Sequence, residues 1–137
     1  MDKIFVDTDI ILYLLSYREP FYISAANLFS AADRKEIEIC VSSLCFANLN
    51  YILSKQFSSA EAKMKLLKFK TLVTVLAVSD KVIELAMSSD FKDMEDGIQY
   101  YTAIENRVTI LLTRNLKDYK TAIIPVMTAE QFLMGKG

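Results

Sequence analysis

A chain of 137 residues, 53% hydrophobic and 24% charged, has room for one globular domain and not for two. Sixteen Lys and Arg against seventeen Asp and Glu leave a formal charge of −1, so any nucleic-acid contact depends on a local basic patch. Histidine is absent, which excludes Ser-His-Asp and Cys-His nucleophiles, HExxH zinc sites and Cys/His zinc fingers together. Carboxylates, hydroxyls, amides, Lys and Arg are left to carry any chemistry. Cys40 and Cys45 have no second pair with which to bind zinc, and read as buried reduced thiols. Asp7 and Asp9 interrupt the apolar N-terminus, which therefore fails as a signal-peptide core, and no apolar run approaches the roughly 18 residues of a membrane span. The expectation is a soluble, cytoplasmic protein without membrane contact.

Ile4-Phe5-Val6 is an apolar run suited to a buried strand, and a helical pattern follows from Thr8 to Leu15. Pro20 sits where a first helical turn accepts it, predicting a helix to Ala32. Glu38 to Val41 reads as a second strand, after which Ser42 or Ser43 caps a helix to Ser54. Ser58 and Glu61 form a capping box for a helix ending near Lys70. Leu72 to Val78 is the most β-rich run, a third strand. Helical patterns follow over Asp80–Ser88 and Asp93–Asn106, then a fourth strand over Val108–Leu112. Ile123 to Val126 is a weaker fifth strand, which Pro125 assigns to an edge. Thr128 and Gln131 resemble another capping box, opening a last short helix. Strands alternating with helices define an α/β domain with a mainly parallel sheet.

Ligands of such sheets bind at the carboxyl ends of the strands. Asp7 follows the first strand directly, and Thr113-Arg114-Asn115 with Asp118 leaves the fourth at the same edge. Each acid has an ordinary alternative, Asp7 as a helix cap and Asp118 as a solvated loop residue, but their agreement on one edge favours a site. Asp93 and Asp96 share one stripe of the later helix, with Met94, Ile98 and Tyr101 on its apolar face and Glu95 pointing to solvent. Helix-start acids are also common for the sake of the dipole alone. Leu44, Asn48, Tyr51 and Ile52 define the inward face of the helix after strand two, which makes Asn48 a polar amide on an apolar stripe. Such an amide needs polar partners, structural or functional.

Taken together, Val6-Asp7-Thr8-Asp9, Ser42-Ser43-Leu44-Cys45-Phe46-Ala47-Asn48-Leu49, Asp93-Met94-Glu95-Asp96-Gly97-Ile98-Gln99 and Thr113-Arg114-Asn115-Leu116-Lys117-Asp118-Tyr119 resemble the PIN-domain ribonucleases, including VapC-type toxins. The resemblance spans essentially the whole chain, residues 1–137, as one domain. It implies a three-layer α/β/α fold with a five-stranded, mainly parallel sheet. The family's acids carry over as Asp7, Asp96 and Asp118, with Asp93, Asn115, Thr8 and Arg114 as supporting positions that orient phosphate or water. Where the family has a Glu in the helix after strand two, this chain has Asn48, which removes one formal negative charge and predicts weaker metal binding.

Three crowded carboxylates repel one another unless a cation sits between them, and oxygen-only ligands select Mg²⁺ or Mn²⁺. The resemblance therefore implies a metal-dependent endoribonuclease acting on RNA phosphodiesters, with Asp7, Asp96 and Asp118 as metal ligands and Asn48 beside them. It also implies a homodimer and an antitoxin protein covering the acidic cleft. One rival is a catalytically weakened PIN-like module that only binds RNA or protein. Another is a haloacid-dehalogenase-like phosphatase suggested by Asp7-Thr8-Asp9, although Ile11 stands where that family expects Thr or Val. Lys55, Lys63, Lys65, Lys68 and Lys70 enrich the middle of the chain and read as a solvated surface.

Overall fold

The computed structural model describes residues 1–136. Its centre is β1 (Asp2–Val6), which pairs in parallel with β2 (Ile37–Ser42) on one side and β4 (Ile110–Leu112) on the other. β3 (Thr74–Leu76) flanks β2 and β5 (Val126–Met127) flanks β4, giving a five-stranded, all-parallel sheet in the order β3-β2-β1-β4-β5. Successive side chains point to opposite faces, and the sequence exploits that period. Ile4, Val6, Ile39, Val41 and Leu112 enter one core, while Phe5, Cys40 and Leu111 enter the other.

The first core is covered by α1 (Thr8–Leu15), α2 (Tyr22–Asp33), α3 (Leu44–Gln56), α4 (Ser59–Lys70) and α7 (Ala129–Lys136). The second is covered by α6 (Met94–Glu105), against which α5 (Asp80–Met87) packs. The result is the three-layer α/β/α arrangement that the resemblance implied. α5 and α6 approach so closely that a Cβ on Gly97 would meet the Ala86 Cβ at 3.3 Å and the Phe91 Cβ at 3.4 Å, so the smallest residue sits there. Cys40 and Cys45 are free and buried. Among the described residues, no helix is long and apolar enough to cross a membrane.

Capping follows the sequence in two places. The Glu61 N–H donates to Ser58 Oγ at 3.1 Å. Thr128 and Gln131 exchange hydrogen bonds, Gln131 N to Thr128 Oγ1 at 3.1 Å and Thr128 N to Gln131 Oε1 at 2.9 Å. Elsewhere the elements differ from expectation for local reasons. β3 is shorter than the 72–78 run because its partner β2 ends at Ser42, opposite Leu76. α2 begins at Tyr22, two residues after Pro20, since its first turn closes from Ala25 N to Phe21 O. Ser43 precedes α3 without a side-chain cap, its Oγ accepting instead from the Val78 N–H. The buried stripe of α3 is Cys45, Leu49 and Leu53, because the helix packs on α4 as well as on the sheet; Tyr51 is 63% exposed. Met94 is likewise exposed, while α6 buries Gly97, Ile98, Gln99 and Tyr100 in succession between α5 and the sheet.

Candidate active site

Parallel strands put every strand's carboxyl end on one edge, and the acids gather there. β1 runs out at Val6, opposite Leu112 of β4, and the next residue is Asp7, whose N–H still donates to the Leu112 carbonyl at 2.9 Å. Asp7 is the N-cap of α1, so the ordinary role weighed from sequence is real. It is also much more than a cap. Its Oδ1 accepts from Thr8 N at 2.7 Å and from Gln99 Nε2 at 2.8 Å, and its Oδ2 accepts from Thr113 Oγ1 at 2.8 Å. Asp7, Gln99 and Thr113 are all buried, so strand one, strand four and α6 are tied together through one carboxylate. Burial pushes the Asp7 carboxyl above its ordinary value although the three donors pull it down, and the charge of Asp118 adds to the rise.

Asp9, two residues on, fixes the loop after β4. Its Oδ1 accepts from Ile10 N at 2.7 Å, and its Oδ2 from Arg114 N at 3.2 Å and Asn115 Nδ2 at 3.3 Å. Asn115 N in turn donates to Thr113 Oγ1 at 3.0 Å. Burial, reinforced by the charge of Asp7, pushes the Asp9 carboxyl up to about 7. With both oxygens committed to the backbone and to Asn115, Asp9 holds the scaffold and is not placed as the acid of a phosphatase pair. The loop it anchors leads into a 3-10 turn, Leu116–Tyr119, which carries Asp118 on an exposed surface.

The third wall is the start of α6. Asp93 is its N-cap, with Oδ1 accepting from Glu95 N at 2.8 Å and from Asp96 N at 3.3 Å. Asp96 is half-buried, and burial followed by the charges of Asp7, Asp93, Asp118 and Glu95 pushes its carboxyl up to about 7. Tyr119 closes on it, its hydroxyl 3.5 Å from Asp96 Oδ1. Asp90, Asp93, Asp96 and Asp118 line one cleft of about 370 Å³ together with Lys92, Lys117 and Lys120. That cleft has acids on its walls and three ammonium groups around them.

Asn48 lies where α3 passes α6. Its Nδ2 donates to Glu95 Oε1 at 2.8 Å, so Glu95 is half-buried and turned towards α3, not to solvent as the helical wheel had it. Burial, then the charges of Asp93 and Asp7, raise its carboxyl. Arg114, expected at substrate, is instead paired with Glu130 of α7 and stacked on Phe21, with its guanidinium 3.8 Å from the ring centroid. Thr8 lies inward, its Oγ1 buried. Lys65 and Lys55 of the mid-chain basic group lie over the rings of Tyr17, Phe57 and Tyr51. Gln99, Thr113, Glu95 and Asp9 are residues of this edge that sequence reasoning did not place in the site. Gln99 had a signal, an amide between apolar neighbours and three residues beyond Asp96; Asp9 had none beyond its spacing from Asp7.

The residues fit a hard divalent cation. Donors are all oxygen, and the charge of Asp118 raises the proton affinity of Asp7, while Asp7 and Asp118 both raise that of Asp96. Among the described residues, the buried side-chain atoms without a partner are Thr8 Oγ1, Ser42 Oγ and Gln99 Oε1. Thr8 follows Asp7, Gln99 is bonded to Asp7, and Ser42 lies two residues beyond the paired Phe5 and Cys40, as Asp7 does on its own strand. Three orphan oxygens around one buried carboxylate mark a place for polar occupants. Also among the described residues, no three acidic or thiol side chains close directly round one ion, so water must complete any shell.

Comparison with known proteins agrees with this fold. Residues 3–117 match the PIN domain family. Ribonuclease VapC1 of Aquifex aeolicus (strain VF5) is 28% identical over 140 residues, covering 96% of this chain and 93% of that protein. A toxin–antitoxin complex from Klebsiella pneumoniae superposes with a TM-score of 0.68 at 22% identity, covering 91% of this chain and 96% of the other. VapC20 of Mycobacterium tuberculosis, a sarcin–ricin loop cleaving toxin, superposes at 0.67 and 15% identity, covering 85% and 95%. With the match spanning most of its length and its acids on the carboxyl edge of a parallel sheet, the chain belongs to the PIN domain family.

Proposed function

We propose that this PIN domain is a Mg²⁺- or Mn²⁺-dependent endoribonuclease of the VapC kind. The observation that carries the reading is the lysine-rimmed cleft in which Asp96 and Asp118 stand within charge range of buried Asp7. When bound, such a cation lowers the pKa of water and offsets charge on a phosphodiester. Asp7, Asp96 and Asp118 would hold it. A carboxylate oxygen has two lone pairs; Oδ1 of Asp7 is filled by Thr8 and Gln99, and Oδ2 keeps one beyond its bond to Thr113. The fixed donors thus leave Asp7 one direction in which to bind. Lys92, Lys117 and Lys120 attract the phosphates of an RNA strand to the same cleft.

RNA as the substrate is supported by the similarity to Ribonuclease VapC1, and an antitoxin partner by the similarity to the Klebsiella complex. A homodimer in the cytoplasm remains part of the reading through the family resemblance. The rival of a weakened binding module drew on Asn48; a carboxylate facing that amide supports the active reading instead. The test is cleavage of end-labelled RNA in Mn²⁺, in Mg²⁺ and in EDTA, with Asp118→Asn as the paired variant. Cleavage is expected only with metal and only in the parent. Equal cleavage in EDTA, or by Asp118→Asn, overturns the reading.

A further inference from the structure

The family pattern expects a Glu on α3, and this chain supplies an amide there. The structure shows where that amide points. Asn48 Nδ2 donates to Glu95 Oε1 at 2.8 Å, across from α3 to the first turn of α6. The backbone of Glu95 is fixed independently, because Asp93 Oδ1 takes the N–H groups of both Glu95 and Asp96. The Glu95 backbone therefore cannot move without breaking the cap that also places Asp96, and its side chain is held by Asn48. It is half-buried, adjacent in sequence to Asp96, and held on the side from which α3 approaches.

Charge arithmetic makes the arrangement more than a tie between helices. A Glu at position 48 would bring one negative charge; Asn48 with Glu95 brings the same single charge, carried by the other helix. Asn48 supplies a donor and no charge, which is what a carboxylate needs in order to be held without being neutralised. Glu95 Oε1 is engaged by that donor, and Oε2 is left to accept from water around a cation. The orphan Oε1 of Gln99 and Oγ of Ser42, both buried, belong to the same edge of the sheet and call for the same polar occupants.

We propose that Glu95, oriented by Asn48, is the fourth carboxylate of the cation site, so that the acid absent from α3 is provided by α6. The inference rests on the metal-dependent reading above. Asn48 is a positioning residue, acting through Glu95.

The test is calorimetric titration of Mn²⁺ into the metal-free full chain, beside thermal melts in EDTA. Gln at position 95 keeps an acceptor oxygen for Asn48, so a purely structural tie survives Glu95→Gln whereas a cation site does not. Glu95→Gln is expected to melt no lower than the parent in EDTA and to bind Mn²⁺ about ten- to hundredfold more weakly, the size of one charged interaction. Asn48→Ala is expected to weaken binding about three- to tenfold in the parent and not at all in Glu95→Gln, the non-additivity of a coupled pair. The double exchange Asn48→Glu with Glu95→Gln, which moves the charge back to α3, is expected to restore binding to within about threefold of the parent. Unchanged Mn²⁺ affinity in Glu95→Gln, with affinity lost in Asp118→Asn, overturns the role of Glu95 and keeps the metal site. No Mn²⁺ binding by the parent overturns both.

Discussion

Asp96→Asn separates what the acidic cluster does to stability from what it does to function. The carboxyl of Asp96 is pushed from 3.8 to about 7, first by burial and then by Asp7, Asp93, Asp118 and Glu95. At about 1.4 kcal/mol per pKa unit, ionising it in the folded state costs nominally about 4 kcal/mol. The side chain is only half-buried, and solvent screening reduces that figure to about 1–2 kcal/mol. Losing a negative charge from the first turn of α6 takes back about 0.5 kcal/mol of dipole interaction. The amide keeps an oxygen for the weak contact from the Tyr119 hydroxyl. The net expectation in EDTA at pH 8 is a variant more stable by about 1 kcal/mol, melting about 3–5 °C above the parent. At about pH 3, well below both values, Asp96 of the parent is largely protonated in both folded and unfolded chains, and the two proteins should melt together apart from the small dipole difference. Mn²⁺ should invert the order, since an ion at a hundred times its dissociation constant stabilises the parent by about 2.7 kcal/mol. Differential scanning calorimetry at about pH 3 and pH 8, with EDTA or Mn²⁺, measures all four states. An Asp96→Asn protein that melts below the parent in EDTA at pH 8, or gains as much from Mn²⁺, refutes the reasoning.

Further expectations follow from the same geometry. The parent in EDTA should lose stability as pH rises from about 4 through 7, because Asp9 and Asp96 have folded values above their unfolded ones, and stability present below the unfolded value is lost through the folded one; a melting temperature that rises over this range contradicts it. Asp7→Asn should abolish cleavage yet fold, the amide oxygen still accepting from Thr8 and Gln99, whereas Asp7→Ala orphans Gln99 Nε2 and the Thr113 hydroxyl and should cost about 2–4 kcal/mol in urea unfolding. Lys117→Ala with Lys120→Ala should leave folding unchanged and reduce the salt dependence of RNA binding by a log–log slope of about 1.4, as for two lost phosphate contacts on a single strand; an unchanged slope removes these lysines from the RNA path.

What sequence could and could not show divides along the number of faces each element buries. β1 and β2 lie between two helical layers and read as continuous apolar runs, and α1 has one buried side, so their periods were legible and Asp7 fell into place at the end of β1. β3 was misjudged in length because the limit came from its neighbour; a strand continues only while it has a partner, and β2 ends at Ser42. The faces of α3 and α6 failed for a related reason. A helical wheel assumes one buried side and one solvent side, and the middle of α6 is buried almost all round. Gly97, Ile98, Gln99 and Tyr100 are buried in succession, and four consecutive positions sweep about 300° of the helix. With almost no solvent side along that stretch, a polar side chain near the start of α6 must be met by polar groups from whatever packs there. Gln99 meets Asp7, and Glu95 meets Asn48, a residue 47 positions earlier whose own face was misassigned because α3 packs on two neighbours. An amide on α3 read by itself looks like a lost acid. Only the distance between two helices shows that its hydrogen bond ends on a carboxylate.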